Sequence, residues 1–391
     1  MGLKKKNQKQ MTKTFKFKQV LVLLLLQQLG LVYDSMEILG SVSSFCLLSF
    51  IPVAIYENAD TEKIKIISDN NKKSGVYKWV NKENGNFSSL VDDSNKSLDL
   101  RFIVGFIDGE GSFSLQLTKD NNYSAGWRLK PSFGIGLDKK DLELLKFIQF
   151  SLKNLGNITK QGNEKFQWRI SSKKDLISLI EILDKYSLIT QKWSDYQLFK
   201  QAFEMYLNKE HLTIEGIKKL VAIKTYMNRC LPDELKKAFP DVKPVARPLI
   251  VNQIIYAPQW LAGFTSAEGC FMIQINKSST HNIGFQTSLK FQITQHARDI
   301  DLMNKLIEYL GCGYYKLRPD KSAGDFIVSK FSDINEKIIP FFKLYPIVGV
   351  KALDFSDFCK VAEIIKTNDH LTEKGFEQIK LIKSNMNTVR K

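Results

Sequence analysis

From about residue 98 the chain switches between two hydrophobic periods, and it does so twice. FIVGFIDGEG (102–111) carries apolar residues at helical spacing. The next stretch changes to period two, with Phe113, Leu115 and Leu117 on one side and Ser112, Ser114, Gln116 and Thr118 on the other. This predicts a helix over about 99–110 that runs directly into a strand. The second copy predicts a helix over about 257–268, then a strand with Phe271, Ile273 and Ile275 opposite Cys270, Met272, Gln274 and Asn276. A second strand in each copy sets Phe133, Ile135 and Leu137 against Arg128, Lys130 and Ser132, and Leu289, Phe291 and Ile293 against Ser288, Lys290, Gln292 and Thr294. A helix (141–155; 299–310), another strand pair and two more helices complete each copy. The outward strand positions form a polar, hydrogen-bonding face of the kind that reads a groove.

The duplication is internal and regular. A shift of 158 positions maps Gly105 to Gly263, Glu110 to Glu268, Phe133 to Phe291 and Asp141 to Asp299. After one insertion the shift is 159, and KWSDYQLF (192–199) matches KALDFSDF (351–358). The expected fold class is α+β, with repeat 1 at 98–228, a linker at 229–258 and repeat 2 at 259–391. Pro232, Pro240, Pro244, Pro248 and Pro258 mark the linker as restrained and extended, without a helix.

Residues 1–97 differ. The first 19 carry seven lysines and no acid, and the apolar runs Val20–Leu26 and Phe45–Tyr56 fall short of the roughly 20 residues of a membrane span. They read as a leader or a fused upstream frame, and no stable membrane anchor is expected. SGVYKWVNKENGNF (74–87), with its Asn84-Gly85 turn signal, resembles the first strand pair of the GIY-YIG nuclease module. FSSLVDD follows where that family's second signature strand belongs, so no activity is assigned to it.

Charge sharpens the polar-face reading. Lys and Arg number 57 against 41 Asp and Glu, a net charge of +16, which favours a polyanionic partner such as nucleic acid or an anionic membrane surface. The five cysteines, Cys46, Cys230, Cys270, Cys312 and Cys359, are scattered without zinc-ligand spacing, so neither a structural zinc nor a disulfide framework is expected.

The repeated helix poses a physical problem. Gly105 and Gly109, and Gly263 and Ala267, lie four apart on one helix face, which lets two backbones approach closely. Glu110 and Glu268 fall in the last helical turn, just before Gly111 and Gly269, which read as C-terminal caps. A carboxylate there opposes the helix dipole by a few tenths to about 1 kcal/mol. Pairing the helices also brings like charges together. Divalent cations between the acids resolve both costs, since carboxylates and helix-end carbonyls are hard oxygen ligands suited to Mg²⁺.

IVGFIDGEG (103–111) and LAGFTSAEG (261–269) together resemble the paired signatures of single-chain LAGLIDADG homing endonucleases, over about three quarters of the chain. The resemblance implies αββαββα units whose signature helices form a pseudo-two-fold seam and whose sheets form a saddle over the DNA major groove. It implies Glu110 and Glu268 as metal-binding catalytic acids, helped by the carbonyls of Gly109 and Ala267. Lys192 and Lys351 take the place of the family's lysines near the scissile phosphates. Gln295 matches a water-orienting residue, and its counterpart in repeat 1 is Leu137. Ser266 replaces Asp108 at a position that the resemblance makes structural. The implied reaction is Mg²⁺-dependent cleavage of both strands across the minor groove, leaving 3′ overhangs, by a monomer acting on a long asymmetric duplex site. An intron RNA-splicing maturase, with its host intron RNA as partner, is the alternative on the same scaffold, and a non-catalytic DNA-binding regulator is a third. Intact acids in both copies favour the nuclease. Family analogy and Lys- and Asn-rich composition place such a protein in mitochondria, promoting mobility of its intron.

Overall fold

The structure, a computed structural model, describes residues 97–227, 231–250 and 253–387. The leader and the 74–87 hairpin, with Cys46 and Cys230, lie outside the described residues. Repeat 1 runs α1 (Leu100–Glu110), β1 (Ser112–Lys119), β2 (Trp127–Asp138), α2 (Leu142–Ser151), β3 (Asn157–Gln161), β4 (Lys165–Ile170), α3 (Lys173–Lys185), α4 (Lys192–Leu207) and α5 (Ile214–Lys224). After α6 (Asp233–Ala238), repeat 2 runs α7 (Pro258–Glu268), β5 (Gly269–Lys277), β6 (Phe285–His296), α8 (Ile300–Leu310), β7 (Tyr314–Leu317) and β8 (Ala323–Val328). It ends with α9 (a helical stretch over 331–344), α10 (Lys351–Lys366) and α11 (Glu373–Lys383).

Each repeat therefore contains the expected αββαββα order and then two further helices. Three helices follow the last strand, where the periodicity predicts two. The sheets are antiparallel and equivalent, in the orders β1-β2-β4-β3 and β5-β6-β8-β7. Their inward faces are buried under the helices in the predicted alternation, as Phe113, Leu115, Leu117 and Phe271, Ile273 testify. Equivalent aromatic pairs fill the two cores: Phe113 and Phe133 have ring centroids 5.2 Å apart, and Phe271 and Phe291 5.1 Å. Thr213 and Thr372 cap α5 and α11 by accepting the Gly216 and Gly375 N–H groups.

The seam between α1 and α7 is set by backbone contact. A Cβ added to Gly105 would fall inside the Trp260 carbonyl group and 3.0 Å from the Phe264 nitrogen. Symmetrically, a Cβ on Gly263 would overlap the Phe102 carbonyl. Glycine costs about 0.5–1 kcal/mol in a helix relative to alanine. Here it admits a helix pair whose surrounding side chains, Ile103, Phe106, Leu261 and Phe264, are almost wholly removed from water.

One expectation needs correction and one gains detail. Gly111 and Gly269 cap their helices as expected, in extended conformation (φ −67° and −72°). Gly111 is glycine for space, since a Cβ there would meet the Ile107 carbonyl at 2.7 Å and the Phe133 ring at 3.0 Å. The linker, by contrast, is not wholly extended. Pro232 and Pro240 bracket the short α6, whose acids lie in the first turn and lysines in the last, in favourable relation to the helix dipole. Its Leu235 is buried, and the following Phe239 packs on Trp127 with centroids 5.5 Å apart.

Replacing Gly105 with alanine overpacks the seam and should cost about 1–3 kcal/mol in urea denaturation. Gly136→Ala, where an added Cβ meets nothing within 4 Å, should change stability by less than about 1 kcal/mol.

Candidate active site at the helical seam

The close approach of α1 and α7 brings their C-terminal acids together. The Glu268 side chain passes Gly109 so closely that a Cβ on Gly109 would lie 3.1 Å from Glu268 Cγ. Both acids are half-buried, and no protein group among the described residues donates a hydrogen bond or ion pair to either carboxylate. Burial, and next the charge of Glu268, raises the pKa of Glu110, while Lys351 and Lys192 oppose the shift.

The lysines answer the dipole problem from other helices. Lys192, the first residue of α4, donates from Nζ to the Gly109 carbonyl at 2.6 Å and the Ile107 carbonyl at 3.1 Å. Lys351, the first residue of α10, donates to the Ala267 carbonyl at 2.7 Å and the Thr265 carbonyl at 3.3 Å. Each cation thus binds carbonyls at the end of its own repeat's signature helix: Gly109 or Ala267, and Ile107 or Thr265, which also accept the Gly111 and Gly269 N–H. Burial lowers the pKa of both amines; the charge of Asp108, then of Glu268 and Glu110, opposes this at Lys192, and the charges of Glu268 and Glu110 oppose it at Lys351.

Asp108 and Ser266 fix the loops that lead into the lysine helices. Asp108 is almost fully buried and accepts four hydrogen bonds: from the Ile189 N–H, the Thr190 N–H and hydroxyl, and Trp260 Nε1. Burial pushes its carboxyl up to about 6 against the pull of these donors. Ser266 donates to the Ala262 carbonyl and accepts from the Val348 N–H, the counterpart of Ile189. Three positions change together: Asp108, Thr190 and Trp260 in one lock, and Ser266, Gly349 and Phe102 in the other. The smaller acceptor meets fewer donors, so Ser266 serves the same structural end as Asp108.

The strand register assembles the predicted polar face. Ser114 pairs with Ser132, Gln116 with Lys130 and Thr118 with Arg128, while Ser112 begins β1 opposite Gly134. In repeat 2, Cys270 pairs with Gln292, Met272 with Lys290, Gln274 with Ser288 and Asn276 with Gln286. Thr294 donates to Asp325, which also binds Arg318 at 2.8 Å. Gln295 stands apart: alternation along β6 gives it the side of Ile293, and no hydrogen bond joins it to either acid among the described residues. Sequence reasoning passed over Lys165, Gln167 and Arg169 on β4, although their alternation with Phe166, Trp168 and Ile170 was available to it. It also missed Arg247 of the linker. This residue binds Asp195 at 2.8 Å and the Gln191 carbonyl, and with Lys192, His296 and Arg298 lines a cleft of about 730 Å³. No spacing rule reaches a residue so far along the chain.

Among the described residues no cluster of three or more His, Cys, Asp or Glu side chains exists to encage a metal. The donor set at the seam is two unpartnered carboxylates beside helix-end carbonyls. That set fits a cation that keeps water and takes further oxygens from a phosphate substrate.

Fold and site define a single-chain, pseudo-two-fold α+β protein with paired acids at a helical seam and two polar sheet faces. Family comparison agrees: the LAGLIDADG endonuclease family model matches residues 103–203 and 261–362, one stretch in each repeat. The chain belongs to this family. Probable intron-encoded endonuclease 3 of Neurospora crassa is 39% identical over 280 residues, covering 71% of this chain and 52% of its own length. Probable intron-encoded endonuclease 2 of the same organism is 36% identical over 304 residues, 74% of this chain and 65% of its own. The chain thus spans between half and two thirds of these relatives. The LAGLIDADG homing endonuclease I-SmaMI, solved with cleaved DNA, superposes with a TM-score of 0.74 at 44% identity, over 76% of this chain and all of that one.

Glu268→Gln removes one of the charges that raises Glu110. A ¹³C carboxyl titration should then show the Glu110 pKa falling towards the ordinary glutamate value, and no movement would separate the two acids electrostatically.

Proposed function

We propose that this protein is a site-specific double-strand DNA endonuclease of the homing type, acting with divalent metal and promoting mobility of its own intron. The observation that carries the reading is the pair of unpartnered acids, Glu110 and Glu268, held at the seam with a half-buried lysine on each side. The relatives support it. I-SmaMI has been solved with cleaved DNA and with uncleaved DNA in the presence of calcium ions. The two lysines replaced by alanine in solved I-SmaMI variants are separated by the same interval as Lys192 and Lys351.

In this reading the polar sheet faces bind the duplex, and net charge +16 strengthens attraction to the phosphates. Glu110 and Glu268 would hold Mg²⁺, helped by the Gly109 and Ala267 carbonyls that the lysines bind here; when bound, the metal would supply an activated water and offset charge on the phosphate. Lys192 and Lys351 are cations in a half-buried setting, where a positive charge stabilises the developing oxyanion more strongly than it would in open water. Water adds to phosphorus and the P–O3′ bond breaks, leaving a 5′-phosphate and a 3′-hydroxyl on each strand and, across the minor groove, 3′ overhangs. Gln295 is retained as a water-orienting residue for the second half-site only. The pseudo-two-fold chain acts as a monomer on one asymmetric target, with repeat 1 (98–228) and repeat 2 (259–391) each taking one half. A similar protein of Saccharomyces cerevisiae, 26% identical over 339 residues, is named as mitochondrial, which supports a mitochondrial setting. No feature of the site favours the splicing alternative, which requires neither acid.

With a randomised duplex library and Mg²⁺, the unmodified protein should release defined ends. Glu110→Gln and Glu268→Gln should each abolish double-strand cutting while binding in Ca²⁺ persists. Undiminished cutting by either variant overturns the proposal.

A further inference from the structure

Asp141 and Asp299 are the N-cap residues of α2 and α8, yet neither carboxylate caps its own helix. An aspartate at that position ordinarily stabilises its helix by accepting a nearby helical N–H. Here both reach across the pseudo-two-fold axis. Asp141 of repeat 1 accepts the Val350 N–H of repeat 2 at 2.9 Å. Asp299 of repeat 2 accepts the Gln191 N–H of repeat 1 at 2.7 Å. Val350 and Gln191 are the residues immediately before Lys351 and Lys192 and the N-caps of α10 and α4.

The crossing is built in on both sides. Gln253 of the linker donates to Asp299 at 3.0 Å and to the Ile189 carbonyl at 2.8 Å, tying the acid to the same loop. On the other side, Gly349 has φ +87°, and a Cβ there would sit 2.9 Å from Asp141 Oδ1. Only glycine adopts that conformation readily, and only glycine leaves the carboxylate room to reach Val350. Asp141 and Asp299 are both buried enough for their pKa values to be raised, so each is held against a desolvation cost.

We infer that Asp141 and Asp299 are positioning residues acting in trans: each repeat's aspartate sets the start of the helix that carries the other repeat's active-site lysine. Neither touches the scissile phosphate in this account. Each lysine is thereby located by two anchors, its own repeat's Asp108 or Ser266 and the opposite repeat's aspartate. The two half-sites are mechanically coupled, so damage to one repeat is read out at the other. The inference rests on the endonuclease reading for its consequence, though not for its geometry.

The test has two arms. In DNA-free protein, hydrogen exchange resolved to single amides should show Asp141→Ala accelerating exchange at Val350 and sparing Gln191, with Asp299→Ala doing the reverse. In cleavage of the duplex recovered from the randomised library, with each strand separately end-labelled, Lys351→Met and Lys192→Met first assign a strand to each lysine. Asp141→Ala should then slow the Lys351 strand by about 10- to 100-fold, as expected for a misplaced group, while changing the other strand by less than about threefold. Asp299→Ala should slow the Lys192 strand. The Asn variants keep an acceptor and should restore most of the lost rate. Equal slowing of both strands, slowing of the cis strand, or Asn variants no better than Ala would overturn the inference. Failure of the unmodified protein to cut any library member would defeat the endonuclease reading instead, and the exchange arm would still decide the geometry.

Discussion

The arrangement of the two described repeats depends on how closely two helix backbones touch. Gly105 and Gly263 each receive the other helix's backbone where a side chain would stand. That single contact fixes the axis relating the repeats, and it delivers Glu110 and Glu268 to one place at the ends of α1 and α7. The contact is apolar and tightly packed, while its product, two half-buried carboxylates against the negative ends of two helices, is electrostatically unfavourable. A core that is strong at the centre of the seam thus tolerates a costly arrangement at its end, as expected where function and stability compete.

The lysines show how the cost is contained. Lys192 and Lys351 each satisfy two terminal carbonyls of a signature helix, which is what a helix end ordinarily asks of a cation. They do so from α4 and α10, elements whose starts are themselves pinned by Asp108 or Ser266 and by the crossing aspartates. The charges that serve the helix ends and the charges that serve the proposed chemistry are the same groups. Removing a lysine therefore disturbs structure and site together.

Much of this was legible in the sequence, and the reason is the duplication. A repeat of 158 positions lets each weak signal be read twice, so the sheet faces, the seam glycines and the two acids emerged from periodicity and composition. The register then placed Gln116 beside Lys130 and Met272 beside Lys290 without surprise. Backbone partners were not legible. The donors that hold Asp141 and Asp299 are N–H groups of Val350 and Gln191, and a backbone N–H leaves no mark on residue identity. For the same reason, the sequence shows the two aspartates only as a repeated pair, with no sign of what they bind. Gly111 was legible as a cap, but the reason it is glycine, a shortage of space and not a positive φ, was not. The prolines of the linker hid α6, because proline breaks a helix interior but flanks a short helix comfortably.

The central claim is that the seam exists to hold two acids around divalent metal. Anomalous scattering from Mn²⁺ in crystals of the protein with its duplex target tests it most directly. The account predicts peaks in contact with the Glu110 and Glu268 carboxylates, lost when both are changed to glutamine. Fully occupied Mn²⁺ sites elsewhere, with the two carboxylates free of metal, would contradict it.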